Sequence, residues 1–219
     1  EDPAWSPDGR RIAYVSDAGV SDRIWLINPD GSGAEPLTPE GRRVIHPNWA
    51  ADSRSLLYCT NDDLAPPRKN DSDIWRIDIA TRKATLVITG GTNTYPSLSH
   101  DGRKIAFRRM LPQNNSEVFV ANADGSDARN LTNAPSFDGW PAWSPDDSRI
   151  AFASNRGGKG DYQVFVMRPD GSDIRLVADT TGRATAPLWS PDGGLLYFPI
   201  CRRIDKGADC QVFTAPPPA

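Results

Sequence analysis

Two histidines, His46 and His100, and three cysteines, Cys59, Cys201 and Cys210, are all that the 219-residue sequence offers toward imidazole or thiolate chemistry. A multi-histidine metal site cannot be assembled from that set, and no Gly-x-Ser-x-Gly nucleophile elbow occurs. Hard oxygen ligands are more plentiful. Asp62, Asp63, Asp71 and Asp73 flank a Pro66-Pro67 stiffener in one stretch and could enclose Ca2+, which wants several such oxygens. The spacing lacks the glycine and terminal glutamate of an EF-hand, and carboxylates of a solvated loop account for the same residues without a metal. Glu117 and Asp73 each stand directly before an apolar pair, Val118-Phe119 and Ile74-Trp75. An acid/base pair for glycoside hydrolysis could be built from two such carboxyls, but acids beside loops at strand starts commonly cap backbone instead, and that is our reading.

The elements that would carry these residues are legible from self-comparison. A proline, then an aromatic or leucine, then a tight turn recurs as Pro3-Ala4-Trp5-Ser6-Pro7-Asp8-Gly9, Pro47-Asn48-Trp49, Pro96-Ser97-Leu98-Ser99-His100-Asp101-Gly102, Pro141-Ala142-Trp143-Ser144-Pro145-Asp146 and Pro187-Leu188-Trp189-Ser190-Pro191-Asp192-Gly193, at spacings of 44, 49, 45 and 46 residues. Ser, Pro, Asp and Gly suit successive positions of a type I turn, so each anchor is a strand running into a hairpin. A second strand follows with an aromatic at Tyr14, Tyr58, Phe107, Phe152 and Phe198. A third, apolar on consecutive positions, carries Ile24-Trp25, Ile74-Trp75, Val118-Phe119, Val164-Phe165 and Val212-Phe213, and both of its faces must be covered. A more polar fourth strand ends at Leu37-Thr38, Ile88-Thr89, Leu131-Thr132 and Val177-Ala178.

One repeat is therefore a four-stranded antiparallel meander, and tandem sheets buried on both faces are satisfied by packing around an axis. The expectation is an all-β propeller of five such blades in one domain over 1–219, with repeats at about 3–46, 47–95, 96–140, 141–186 and 187–215. Repeat five runs into Ala215-Pro216-Pro217-Pro218 without a fourth strand, so its blade is expected to be incomplete. With no initiating Met and no signal peptide, we expect a segment of a longer chain, in which there is room for a sixth blade beyond these five.

Loop lengths sort the two faces. The turns within hairpins are short and alike, whereas the connection from second to third strand runs 9 residues from Val15 to Ile24 and 15 from Cys59 to Ile74. Binding belongs on the variable face. Asp2, His46, Tyr95 and Trp140, each just before an anchor proline, are expected to rim the channel mouth there, with Arg156 on the same face able to meet an acidic partner. The competing reading has these aromatics plug the channel or pack on a neighbouring loop.

Pro-x-Trp-Ser-Pro-Asp-Gly, then Ile-Ala-Tyr/Phe, then Ile-Trp with Asp-Gly and Leu-Thr, resembles the WD40-like repeats of TolB-type propellers along the whole chain. In that family similar repeats serve a protein-binding component of the cell envelope, propellers attached to peptidases and some sugar-acting enzymes; the namesake carries six blades and an N-terminal domain. The resemblance implies a non-catalytic binding module for a protein or peptide, with carbohydrate as the other ligand class. The alternative is the propeller domain of a larger peptidase or sugar-acting enzyme that gates or positions substrate.

Composition excludes two partner classes. A formal net charge of -3 lacks the positive field of a nucleic-acid binder. No apolar run approaches the ~18 residues of a membrane span. Cys201 and Cys210 lie in one loop joining adjacent antiparallel strands and could form a disulfide, which would fit a periplasmic or extracellular location. Cys59 reads as a small buried thiol.

Overall fold

The computed structural model describes residues 1–17, 21–60, 62–63, 69–113, 115–157, 161–204 and 207–218, with the side chains of 62, 63, 69, 70, 203, 204 and 207 left out. It is all-β: a five-bladed β-propeller of four-stranded antiparallel sheets. The first sheet runs Ala4–Trp5, Ile12–Ser16, Arg23–Ile27, Glu35–Pro36, and the second Val44–Trp49, Ser55–Thr60, Ile74–Asp78, Ala84–Ile88. The third runs Asn93–Leu98, Lys104–Leu111, Asn115–Asn122, Arg129–Asn130, and the fourth Asp138–Trp143, Ile150–Ser154, Gln163–Met167, Arg175–Leu176. In the fifth, Arg183–Ala184 and Leu188–Trp189 are two pieces of one inner strand along Leu196–Ile204, whose other edge pairs with Gly207–Ala215. Among the described residues no further strand lies outside Gly207–Ala215, so the fifth blade lacks the separate outer strand of the others.

The chain divides into two compact units, Glu1–Ile105 with Asn122–Ser126, and Ala106–Ala121 with Asp127–Ala219. In the first, the core gathers Val15, Ile24, Leu26, Leu37, Val44, Trp49, Leu56, Tyr58 and Ile77. In the second, one cluster holds Val118, Val120, Trp143, Ile150, Phe152 and Met167, and another Val164, Val166, Leu196, Phe198 and Ile200. The second-strand aromatics pair across the ladder with those of the third strand, Tyr14 with Trp25, Tyr58 with Trp75, Phe152 with Phe165 and Phe198 with Phe213, one of the pairings that stabilise a sheet. Inner-strand tryptophans stitch neighbouring sheets: Trp49 Nε1 donates to Ala4 O (2.9 Å) in the first unit and Trp189 Nε1 to Ala142 O (3.0 Å) in the second. The same inner position is 8% exposed at Trp49 and Leu98 and 5% at Trp143, but 59% at Trp5.

The recurrent turn is closed by its own side chains. Ser6 Oγ donates to Asp8 Oδ1 (2.7 Å) while accepting from the Arg11 backbone N (2.9 Å), and Asp8 Oδ1 accepts the Arg10 backbone N (3.0 Å). Ser99 with Asp101, Ser144 with Asp146 and Ser190 with Asp192 repeat the arrangement. The serine hydroxyl, followed by the backbone N–H, favours the ionised form and holds these carboxyls below the usual carboxylate range, Asp146 at about 2. Gly9, Gly102 and Gly193 take positive φ at the turn's end, and where the sequence has Ser53 or Asp147 instead, those residues adopt it too (58° and 57°).

Candidate functional site

The inner strands begin before the anchor proline, so the residue preceding it belongs to a strand in the second, third and fourth sheets. The ladder slips by one residue at that point. Ile45 pairs with Cys59 but Asn48 with Leu57; Gly139 pairs with Ala153 but Ala142 with Ala151. Proline has no N–H to give a ladder and is tolerated in a sheet where a bulge frees that position. The residue before it takes up the extra length in a left-handed conformation, with φ 46° at Asp2, 54° at His46, 52° at Tyr95, 53° at Trp140 and 46° at Ala186. A non-glycine residue held there costs on the order of 1–3 kcal/mol, so five equivalent occurrences are a built feature of the repeat.

In the first unit three of the expected rim residues come together. Asp2 Oδ2 accepts the His46 backbone N (3.3 Å) and lies 3.8 Å from His46 Nε2. The His46 ring stacks on Tyr95 at 3.8 Å between centroids, tilted by 30°. Behind it, His46 Nδ1 is 3.2 Å from Cys59 Sγ, which donates to Ile45 O at 3.5 Å. A thiol, an imidazole and a carboxylate in series are the parts of a nucleophilic triad, but Cys59 is fully buried beneath the ring, where a substrate carbon has no approach. The thiol is a packing element that helps fix the imidazole.

In the second unit Trp140 sits among cations. Tyr162 meets it edge-on at 5.4 Å, and the guanidiniums of Arg108 and Arg183 lie 5.5 and 5.8 Å from its ring centroid. Arg183 is also 4.9 Å from the Tyr162 ring. Burial raises the Tyr162 phenol, and Arg183 and then Arg108 oppose that shift. Arg108 and Arg183 follow from no sequence signal, because each reaches Trp140 from a different blade. Arg156, expected to face a partner, is committed inward: its Nη2 donates to fully buried Asp138 Oδ2 (2.9 Å), and its guanidinium lies 5.0 Å from the Phe152 ring.

The remaining acids are engaged structurally. Glu117 is buried and accepts from Thr132 Oγ1, the Ala134 backbone N (3.0 Å) and Asn115 Nδ2 (3.0 Å). Burial pushes its carboxyl up, against the pull of those donors. It caps the loop after the outer strand, as acids at such positions do. Of the calcium candidates, the side chains of Asp62 and Asp63 lie outside the described residues; Asp62 pairs with Asp71 along the backbone, and Asp71 is exposed. Among the described residues no group of three or more His, Cys, Asp or Glu side chains converges as a metal set. Cys201 and Cys210 face each other across the fifth sheet and are joined in a disulfide. Among the described residues no helix is long and apolar enough to cross a membrane.

Comparison with known proteins agrees with this architecture. The chain is 24% identical over 159 residues to the uncharacterized peptidase YuxL of Bacillus subtilis (strain 168), covering 70% of this chain and 22% of that one. It is 26% identical over 149 residues to the Tol-Pal system protein TolB of Nitratidesulfovibrio vulgaris, covering 67% of this chain and 32% of that protein. It therefore spans less than half the length of either relative. The crystal structure of TolB from Acinetobacter baumannii superposes with a TM-score of 0.77 at 20% identity, over 99% of this chain and 54% of that one. The family model described as the TolB beta propeller domain matches residues 66–203, well over half of the sequence, and the chain belongs to that family.

Proposed function

We propose that this chain is a non-catalytic binding module that works outside the cytoplasm and holds a protein or peptide partner through the residues before its anchor prolines, with Asp2, His46 and Tyr95 gathered in the first unit and Trp140 presented by the second. One observation carries the reading: the repeat fixes an unusual backbone conformation before every anchor proline while the side chain there varies from acid to imidazole, phenol, indole and methyl. A strained position held constant with its side chain free to differ is the signature of a display site. The buried carboxylates Glu117 and Asp138 are saturated by structural donors, which supports binding over catalysis. The Cys201–Cys210 disulfide and the likeness to TolB support a periplasmic or extracellular setting.

The match to YuxL favours a second reading, in which the propeller gates or positions substrate for a peptidase domain. Capture from the source organism's envelope or medium separates the two. Tyr95→Ala with Trp140→Ala should lose the partner by about thirtyfold or more, as truncated aromatic anchors do, while Asp30→Ala with Asp124→Ala in the hairpin turns keeps it. Loss of the partner in the turn mutant alone would put the functional face on the other side; peptide turnover without a captured partner would favour the peptidase reading.

A further inference from the structure

Resting on that reading, we infer that the cluster of Arg108, Trp140, Tyr162 and Arg183 is a carboxylate-binding subsite, and that the segment it takes is an acidic peptide. Arg183 is exposed, and among the described residues it pairs with no carboxylate; its guanidinium lies against two rings instead. A guanidinium lying on an aromatic face is attracted by the ring quadrupole and keeps its N–H donors at its edge, where a planar carboxylate is met bidentately. Arg108 brings a second positive charge to the same indole.

The acid that acts on the Tyr162 phenol, Asp138, is fully buried and paired with Arg156, with Ser136 Oγ on its other oxygen (3.1 Å). Glu117, which Asp138 acts on, has its carboxyl pushed up by burial. The rings argue against a sugar as the occupant. Stacking a pyranose needs an open aromatic face, whereas Trp140 carries guanidiniums at 5.5 and 5.8 Å and a phenol ring edge-on. What the site offers outward is N–H donors, and an extended peptide brings a carboxylate on a slim stem.

The test titrates the 219-residue chain with acetyl-Gly-Glu-Gly-Glu-Gly-amide, its Gln counterpart and tetragalacturonate, reading the Trp140 indole N–H resonance, assigned with Trp140→Phe. The Glu peptide is expected to shift that resonance and bind about tenfold or more tightly than the Gln peptide, as charge-assisted bidentate pairing requires. Arg183→Gln should abolish the preference. Arg183→Lys should keep the salt sensitivity but lose much of the affinity, because an ammonium cannot form the fork. Equal affinity for both peptides overturns the proposal, as does a preference that survives in Arg183→Gln with its thermal melt unchanged. Arg183-dependent capture of tetragalacturonate without the peptide overturns the choice of occupant. If the preference is absent while Tyr95→Ala with Trp140→Ala still loses a captured partner, this subsite is wrong and the binding-module reading stands. The opposite pair of results removes that reading and keeps the subsite.

Discussion

Trp143→Ala and Trp5→Ala make the same chemical change at the same point of the repeat, and the structure gives them different consequences. A tryptophan buries roughly 150–250 Å2, which at ~25 cal/mol per Å2 corresponds to about 4–6 kcal/mol. Trp143 is 5% exposed and packs in the cluster with Ile150, Phe152 and Met167. Nearly all of that area is therefore lost on truncation, and a cavity stays behind. Allowing for surface already hidden in the unfolded chain, the expected destabilisation is about 3–5 kcal/mol. Trp5 is 59% exposed. The same arithmetic leaves it about 1–2 kcal/mol, with no enclosed void to add. Urea melts followed by far-UV circular dichroism measure both, because that signal does not depend on the deleted indole, and the midpoints are compared at constant slope. Equal losses at the two positions, or a loss under about 1 kcal/mol at Trp143, would refute the burial argument.

Three further outcomes are expected. Reducing the Cys201–Cys210 disulfide, nine residues apart in sequence, should cost about 2–3 kcal/mol on loop-entropy grounds; before reduction, denatured protein should show one thiol, Cys59, and three titrated thiols would rule the disulfide out. The turn aspartates have depressed folded pKa values, so their contribution is complete above the ordinary carboxylate range and is lost as pH falls from about 5 toward about 2. Ser144→Ala should raise the Asp146 pKa toward 3.8 and move that part of the acid transition to higher pH; NMR titration of the Asp146 carboxyl checks it. Ala186→Gly should stabilise by roughly 0.5–1 kcal/mol, since only glycine is at ease at φ 46°; a loss of stability would mean the left-handed conformation is absent at that position.

The sequence carried the blade pattern because each part of the repeat has a local cause. Ser6, Asp8 and Gly9 make their turn with one another, and Tyr14 meets Trp25 within one sheet. Variants of the turn also resolved themselves locally, Ser53 and Asp147 adopting the conformation glycine has elsewhere. The site was legible only in part. His46 and Tyr95 were singled out by their place before proline, but the bulge that holds His46 inside a strand depends on ladder register, which no single segment encodes. Arg183 and Arg108 stand 43 and 32 positions from Trp140, and nothing in their own neighbourhoods distinguishes them from surface arginines. Arg156 looked equally free until the buried Asp138 beneath it was in view.

The bulge before each anchor proline has a consequence for how such a protein can change. The backbone before each anchor proline keeps one conformation whatever side chain it carries, and Asp2, His46, Tyr95, Trp140 and Ala186 show how far that side chain can range at φ values of 46° to 54°. On the proposed reading, a substitution at one of these points would change what a single blade offers a partner while leaving that blade's ladder as it is, so that variants could be explored one blade at a time.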